Sequence, residues 1–226
     1  MFVERLDTAR YSHNPIHLML ARLPFGQIVY TAQDDLLQEA FIRCDVKVNH
    51  VLESDVALSQ PAERLCEEVL VRGRYALEIA TQNHLLLEIA LDNLSLGRAR
   101  LGLTLATGGS FDQAEDELDR AVHGLREAAQ EDDLPRGLLA RATLHRFANN
   151  PAAAETDLTE ALEIAERGQM RLFECDAHLE WGRLCWSVGD REGAKAHLET
   201  ARRLVAETGY HRRDREVGEL AAALGA

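Results

Sequence analysis

Three stretches of this chain place their apolar residues at the same intervals. "GSFDQAEDELDRAVHGL" (109–125), "NNPAAAETDLTEALEIA" (149–165) and "GDREGAKAHLETARRLV" (189–205) align without gaps. Ala114, Leu118, Ala121 and Leu125 in the first are matched by Ala154, Leu158, Ala161 and Ala165 in the second. Ala194, Leu198, Ala201 and Val205 follow in the third, each copy 40 residues after the last. Steps of four, three and four keep these positions on one side of a helix turning every ~3.6 residues, so each copy predicts an amphipathic helix.

Twelve residues before each first alanine stands another small residue, Gly102, Ala142 or Gly182. Each lies in an earlier helical segment: "SLGRARLGLTLAT", "LPRGLLARATLHRFA" and "CDAHLEWGRLCWSV". The repeating unit is therefore a helical hairpin. Antiparallel helices reach the near end of the usual axial separation, about 8–10 Å, only where the side chains between them are small. The small residue of the first helix is expected to face alanine on the second, with the intervening leucine filling the adjacent gap.

Punctuation residues fit this division. Ser110 with Gln113 predicts a capping box, Asn150 before Pro151 a cap and a first-turn proline, and Asp190 after Gly189 a cap joined to a helix stop. Gly168 and Gly209 close second helices. A last helix over about 212–224 turns Val217, Leu220 and Leu224 toward the final repeat as a terminal cap. Upstream, 61–83 reads as a shorter helix pair with a turn near Gly73, outside the 40-residue register.

The small–alanine–alanine skeleton resembles the tetratricopeptide repeat over about 62–225. The strings "LLLEIALDNLSLGRARL", "DDLPRGLLARATLHR", "ALEIAERGQM" and "GYHRRDREVGEL" are similar to the C-terminal repeat arrays of bacterial STAND-type signalling ATPases. The resemblance implies a mainly α protein, a right-handed α-solenoid over 61–226, acting as a non-catalytic interaction or sensing module for a protein or peptide. A nucleotide-binding signalling protein is one partner it implies. The ATPase motif GxxxxGK[ST] does not occur in this sequence.

Residues 1–58 have a different texture: "PIHLMLARL", a strand "QIVYTA", a helix "DDLLQEAFIRC" and a strand "VKVNHVL" predict a small α/β fragment. "ARLPFGQIVYTAQDDLLQEAF" resembles part of bacterial sirtuin-like domains, where a strand ends in Thr-x-Asn-x-Asp against NAD. Thr31 and Asp35 match that motif, and Gln33 stands where asparagine is expected. No glycine-rich phosphate loop precedes the strand, so the expectation is a remnant with no cofactor. The competing reading is an NAD-consuming enzyme completed by a partner chain.

A formal charge of −13 and a pI near 5.1 set the long-range field against phosphate backbones and anionic bilayers, so neither nucleic acid nor membrane is an expected partner. Cys44, Cys66, Cys175 and Cys185 form no CxxC pair and predict packed thiols. The N-terminus lacks the order of a signal peptide and the apolar runs are short, which points to a cytoplasmic protein.

Other candidate chemistry is set aside. Pro15 breaks the helical spacing of His13 and His17, so no metal site is expected. "EDELD" (115–119) reads as a solvated face, and His145 and Cys185, at equivalent repeat positions, as core. The inner wall formed by the first helices offers Arg136, Thr143 and Arg146, then Asp176, Arg183 and Trp186. These either receive an acidic or C-terminal carboxylate of a peptide or pair within their own helices. Leu139 and Leu179 stand where a chaperone-type carboxylate clamp has polar or basic residues. "GYHRRDRE" (209–216) reads as a helix start with solvated arginines.

Overall fold

The computed structural model describes residues 62–225. The chain divides into two units, Met1–Ser59 and Gln60–Ala226, and only the second is described below. The expected α/β fragment, with Thr31, Gln33 and Asp35, as well as His13, His17 and Cys44, lies outside the described residues.

The described unit is mainly helical, with no strand among the described residues. Its eight α-helices are α1 (Ala62–Gln82), α2 (Leu86–Thr107), α3 (Asp112–Glu127), α4 (Leu134–Phe147), α5 (Pro151–Arg167), α6 (Arg171–Val188), α7 (Arg191–Thr208) and α8 (Asp214–Leu224). A 3-10 turn, His211–Arg213, precedes α8. Each helix packs on the next in sequence, and α2, α4, α6 and α8 also touch one another in a row.

The alanine–leucine stripe is the core. All twelve stripe residues of α3, α5 and α7 are at most 6% exposed. On α6, a Cβ added at Gly182 would lie 2.9 Å from Leu220 Cδ2 of α8, 3.4 Å from the Ala194 carbonyl oxygen and 3.5 Å from the His197 Cβ, so the small residue faces the alanine as expected and also admits the terminal helix. In the first unit the pairing differs. Gly102 faces Cys66 of α1, with an added Cβ 2.9 Å from its Sγ, and Gly97 takes the crossing with α3, 2.7 Å from the Leu118 Cγ. Glycine is required at Gly97, where the Leu118 backbone nitrogen is also only 3.2 Å away, whereas at Gly102 only the Cys66 side chain would have to move.

Residues 61–83 do not contain the expected turn. Ala62–Gln82 is one 21-residue helix, and Gly73 sits in its middle, where an added Cβ would meet Leu96 at 2.8 Å. This glycine serves close helix packing, a use the sequence does not distinguish from a turn.

Side chains cap the helices where Asn150 accepts from the Ala153 N–H at 3.4 Å and Asp190 from the Gly193 N–H at 2.9 Å. Ser110 accepts from the Asp112 N–H at 3.2 Å, one position short of the expected capping box. Every connection carries a left-handed residue: His84 between α1 and α2, Gly108 and Gly109 between α2 and α3, Asn149 and Gly189 within the later hairpins, and Ala129, Gln169 and Gly209 between them. Gly168 itself has φ −82°, and Gln169 at φ 54° takes the turn instead. Alanine and glutamine tolerate that conformation at a cost of roughly 1–2 kcal/mol relative to glycine.

A polar pair ties each hairpin, three residues after its first stripe alanine. Glu117 accepts from Arg100 Nε at 3.0 Å on both oxygens, and Asp157 takes Arg141 Nε at 2.9 Å and Nη2 at 2.7 Å. Arg141 also donates to Asp119 at 2.8 Å. Glu117 and Asp119 of "EDELD" thus accept hydrogen bonds from arginines of the first helices, and buried Glu117 turns inward, against the expectation of a wholly solvated face. The third hairpin replaces the ion pair with two imidazoles: Nδ1 of His178 and Nδ1 of His197 lie 2.9 Å apart, and Trp181 stacks on His197 at 5.3 Å.

Val217, Leu220 and Leu224 of α8 are buried against Cys175, Leu179 and Ala194, so the terminal helix covers the last hairpin as expected. No described helix is long and apolar enough to cross a membrane.

Two outcomes test this packing. Leu158→Ala is expected to destabilise by about 2–5 kcal/mol and Ala154→Leu by about 1–3 kcal/mol, read from urea denaturation; a neutral Ala154→Leu would contradict the close crossing. The imidazole pair gives a pH dependence. One Nδ1–H donates and the other Nδ1 accepts, so the accepting ring must be neutral, and burial disfavours a charge on either ring. Burial, His197 and Arg203 lower the His178 pKa to about 4, and burial lowers that of His197 against the pull of Asp190. The unfolded chain therefore takes up protons first. Stability is complete above the ordinary histidine value of about 6.5 and erodes as pH falls toward about 4. The melting temperature should drop over that interval, and a His178→Gln, His197→Gln double variant should show a smaller drop.

Candidate functional site

The row of first helices forms one wall of a groove of about 700 Å³. On α4 its lining is Arg136, Leu139, Ala140 and Thr143, and on α6 Asp176, Leu179, Glu180 and Arg183. Steps of three, one and three put each quartet on one helix face. On α2 the same spacing is carried by Arg98, Leu101, Gly102 and Leu105. Tyr210, Arg212 and Arg213, from the 3-10 turn and the residue before it, close the far end.

Four of the six residues expected at this wall line the groove: Arg136, Thr143, Asp176 and Arg183. Arg146 and Trp186 do not. Arg146 is drawn aside by Glu180, whose Oε1 accepts from its Nε at 2.7 Å, while the guanidinium lies 4.2 Å from the centre of the Phe147 ring. Trp186 is half-buried against the last hairpin's core, with Arg191 over its ring at 5.4 Å. Both sit three residues beyond the quartets, near the helix ends, and are held by these local partners instead. His145 is buried as expected, its Nε2 3.8 Å from Asp157.

Arg98 was missed because α2 does not follow the 40-residue frame. That frame points to Leu96 and Leu103, but Leu96 is buried against α1. The groove quartet of α2 is offset from that of α4 by 38 residues, the separation at which Arg98 Nη2 donates to the Arg136 carbonyl at 3.1 Å. Two leucines at positions that are polar in the later repeats were the signal that this helix is turned.

The far end also differs from expectation. Of the arginines in "GYHRRDRE", Arg212 and Arg213 line the groove. Arg213 is clamped by Asp176, donating from Nε at 2.7 Å and Nη2 at 3.0 Å, and Nη1 reaches Glu216 at 2.8 Å. The Tyr210 hydroxyl donates to Asp176 at 3.4 Å. Pairing within the protein therefore accounts for several groove charges: Arg183 lies 3.1 Å from Glu180, and Arg136 lies 3.4 Å from Asp133.

Five arginines and two carboxylates line the groove, an excess of three positive charges on a protein of formal charge −13. Arg98 feels this excess directly. Although the side chain remains exposed, its pKa is lowered by partial desolvation between the groove walls and by the charges of Arg136 and Arg213, with Asp176 opposing. Asp176 hydrogen bonding raises that of Arg213, whose charge is already matched. The groove can therefore supply guanidinium donors to an anion.

Thr143 donates its hydroxyl proton to the Leu139 carbonyl at 2.9 Å. The buried Cys175 thiol, pushed up to about 11 chiefly by burial, lies against the Ala201 carbonyl, so it is packed rather than primed for attack. Among the described residues, no group of three or more His, Cys, Asp or Glu side chains could hold a metal ion. Comparison of the chain with family models, curated proteins and solved structures gives no match.

The Asp176–Arg213 clamp joins α6 to the turn that positions α8. Asp176→Ala is expected to cost about 1.5–3 kcal/mol, the range for hydrogen bonds to charged groups. Hydrogen exchange should accelerate over 211–224 with little change in α4 and α5; unchanged exchange there would show that apolar packing alone holds the cap.

Proposed function

We propose that this chain carries a right-handed α-solenoid of tetratricopeptide-like hairpins and works as a non-catalytic interaction module that receives a protein or peptide segment in its groove. The observation that carries this reading is the alignment of three equivalent quartets from α2, α4 and α6 along one open wall. Exposed Leu105 and Leu172 stand beside the arginines there. A groove of about 700 Å³ has the capacity for several side chains of a bound segment. Its mixture of guanidinium and apolar surface suits a polypeptide, which offers both carboxylates and hydrocarbon, and acidic side chains or a C-terminal carboxylate supply the charge complement.

The row of touching first helices supports a solenoid, because stacking exposes one face of each first helix along a common surface. Rigid hairpins also suit recognition, since little backbone freedom is lost when a partner binds.

A photo-reactive residue placed at Thr143 is expected to cross-link a discrete polypeptide in native extract, whereas the same residue at exposed Thr156 on α5 is not. Equal labelling at both positions, or none at Thr143, would overturn the groove reading.

A further inference from the structure

We infer that the groove selects a peptide segment whose acidic side chains lie between apolar ones, with Arg98 and Arg212 taking the carboxylates and Leu105 and Leu172 taking the apolar side chains. This rests on the groove being the binding surface and adds the chemistry of its ligand.

Charge availability is the first argument. Arg213 is fully engaged by Asp176 and Glu216, and Arg183 faces Glu180. Among the described residues, Arg98 and Arg212 have no carboxylate within ion-pair distance. The Arg98 guanidinium spends one N–H on the Arg136 carbonyl and keeps the rest for a ligand. A carboxylate arriving there relieves the repulsion among Arg98, Arg136 and Arg213.

Apolar surface is the second. Leu105 is 46% exposed and Leu172 is 47% exposed, and both line the same groove as the free arginines. An inorganic anion would leave these leucines in water, whereas a leucine-sized ligand side chain covers them. Burial of apolar area contributes about 25 cal/mol per Å².

The number of free cations decides between the sources of carboxylate. Arg98 is on α2 and Arg212 lies beyond α6, two helix steps away. They are two separate cations on different elements, and a chain terminus brings only one carboxylate. Side-chain carboxylates spaced along an extended segment reach both.

The formal charge of −13 does not prevent this. At physiological ionic strength the screening length is about 8 Å, so a short ligand in the groove responds mainly to the local positive excess. A long polyanion would also meet the acidic surface around it.

Fluorescence anisotropy with a short labelled peptide of alternating glutamate and leucine, amidated at its C-terminus, tests the inference. Binding is expected, with loss on changing glutamate to lysine and weakening on changing leucine to serine. Arg98→Glu and Arg212→Glu should each weaken it about tenfold. Arg215→Glu, the same charge change at an exposed position on α8 that does not line the groove, should leave it unaltered. Circular dichroism verifies folding, and Arg98→Gln serves if Arg98→Glu does not fold.

Equal binding of the lysine peptide, a requirement for a free C-terminal carboxylate, or no effect of a folded Arg98 variant would each overturn the inference. Cross-linking at Thr143 without glutamate–leucine peptide binding removes the ligand assignment and leaves the groove reading. Failure of both removes the two together.

Discussion

Because each second helix presents alanine at two or three of its four inward positions, its backbone lies close to the first helix and leaves little room for long side chains at the crossing. Ala114, Ala154 and Ala194 at these crossings are at most 1% exposed. Each atom-to-atom attraction at such a crossing is small, and the benefit comes from their number. Leu118, Leu158 and Leu198 then fill the spaces beside it and are at most 1% exposed. The stacking of hairpins, the row of first helices and the groove follow from this spacing.

Apolar packing at that distance sets separation but leaves rotation to be fixed by directional bonds. Arg100–Glu117 and Arg141–Asp157 do so across two hairpins. Ion pairs at half-buried sites gain modest net stability, because desolvation cancels much of the attraction, yet a rotation that separated them would leave each charge without its partner. The imidazole pair does the same without net charge in the third hairpin. Rotation of the first helices decides which residues meet solvent in the groove, so these internal bonds and the ligand-facing arginines are mechanically linked.

Much of this order was legible in the residues. The twelve stripe positions, the caps at Asn150 and Asp190 and the buried face of α8 follow from local periodicity, which needs no knowledge of neighbours. The groove was legible only in part. Arg136, Thr143, Asp176 and Arg183 come from counting along a regular frame, whereas Arg146 and Trp186 were lost to competing local partners that spacing does not reveal. Gly73 and Gly97 show the same limit, since a glycine needed for helix contact and one needed for a turn are the same letter. Arg212 and Arg213 escaped because their role depends on a 3-10 turn bringing them beside α6.

The offset of 38 residues between the α2 and α4 quartets, followed by 40 between α4 and α6, divides the unit into interchangeable and fixed parts. Hairpins built on the uniform interval share seams, so duplicating or excising one such module conserves the joints around it and changes only the length of the recognition surface. The leading hairpin is different, since α2 is cut to match α1 on one flank and α3 on the other. Growth by copying internal modules is thus open to this architecture, whereas the glycine-keyed packing of α2 between α1 and α3 does not match the seams of the later hairpins.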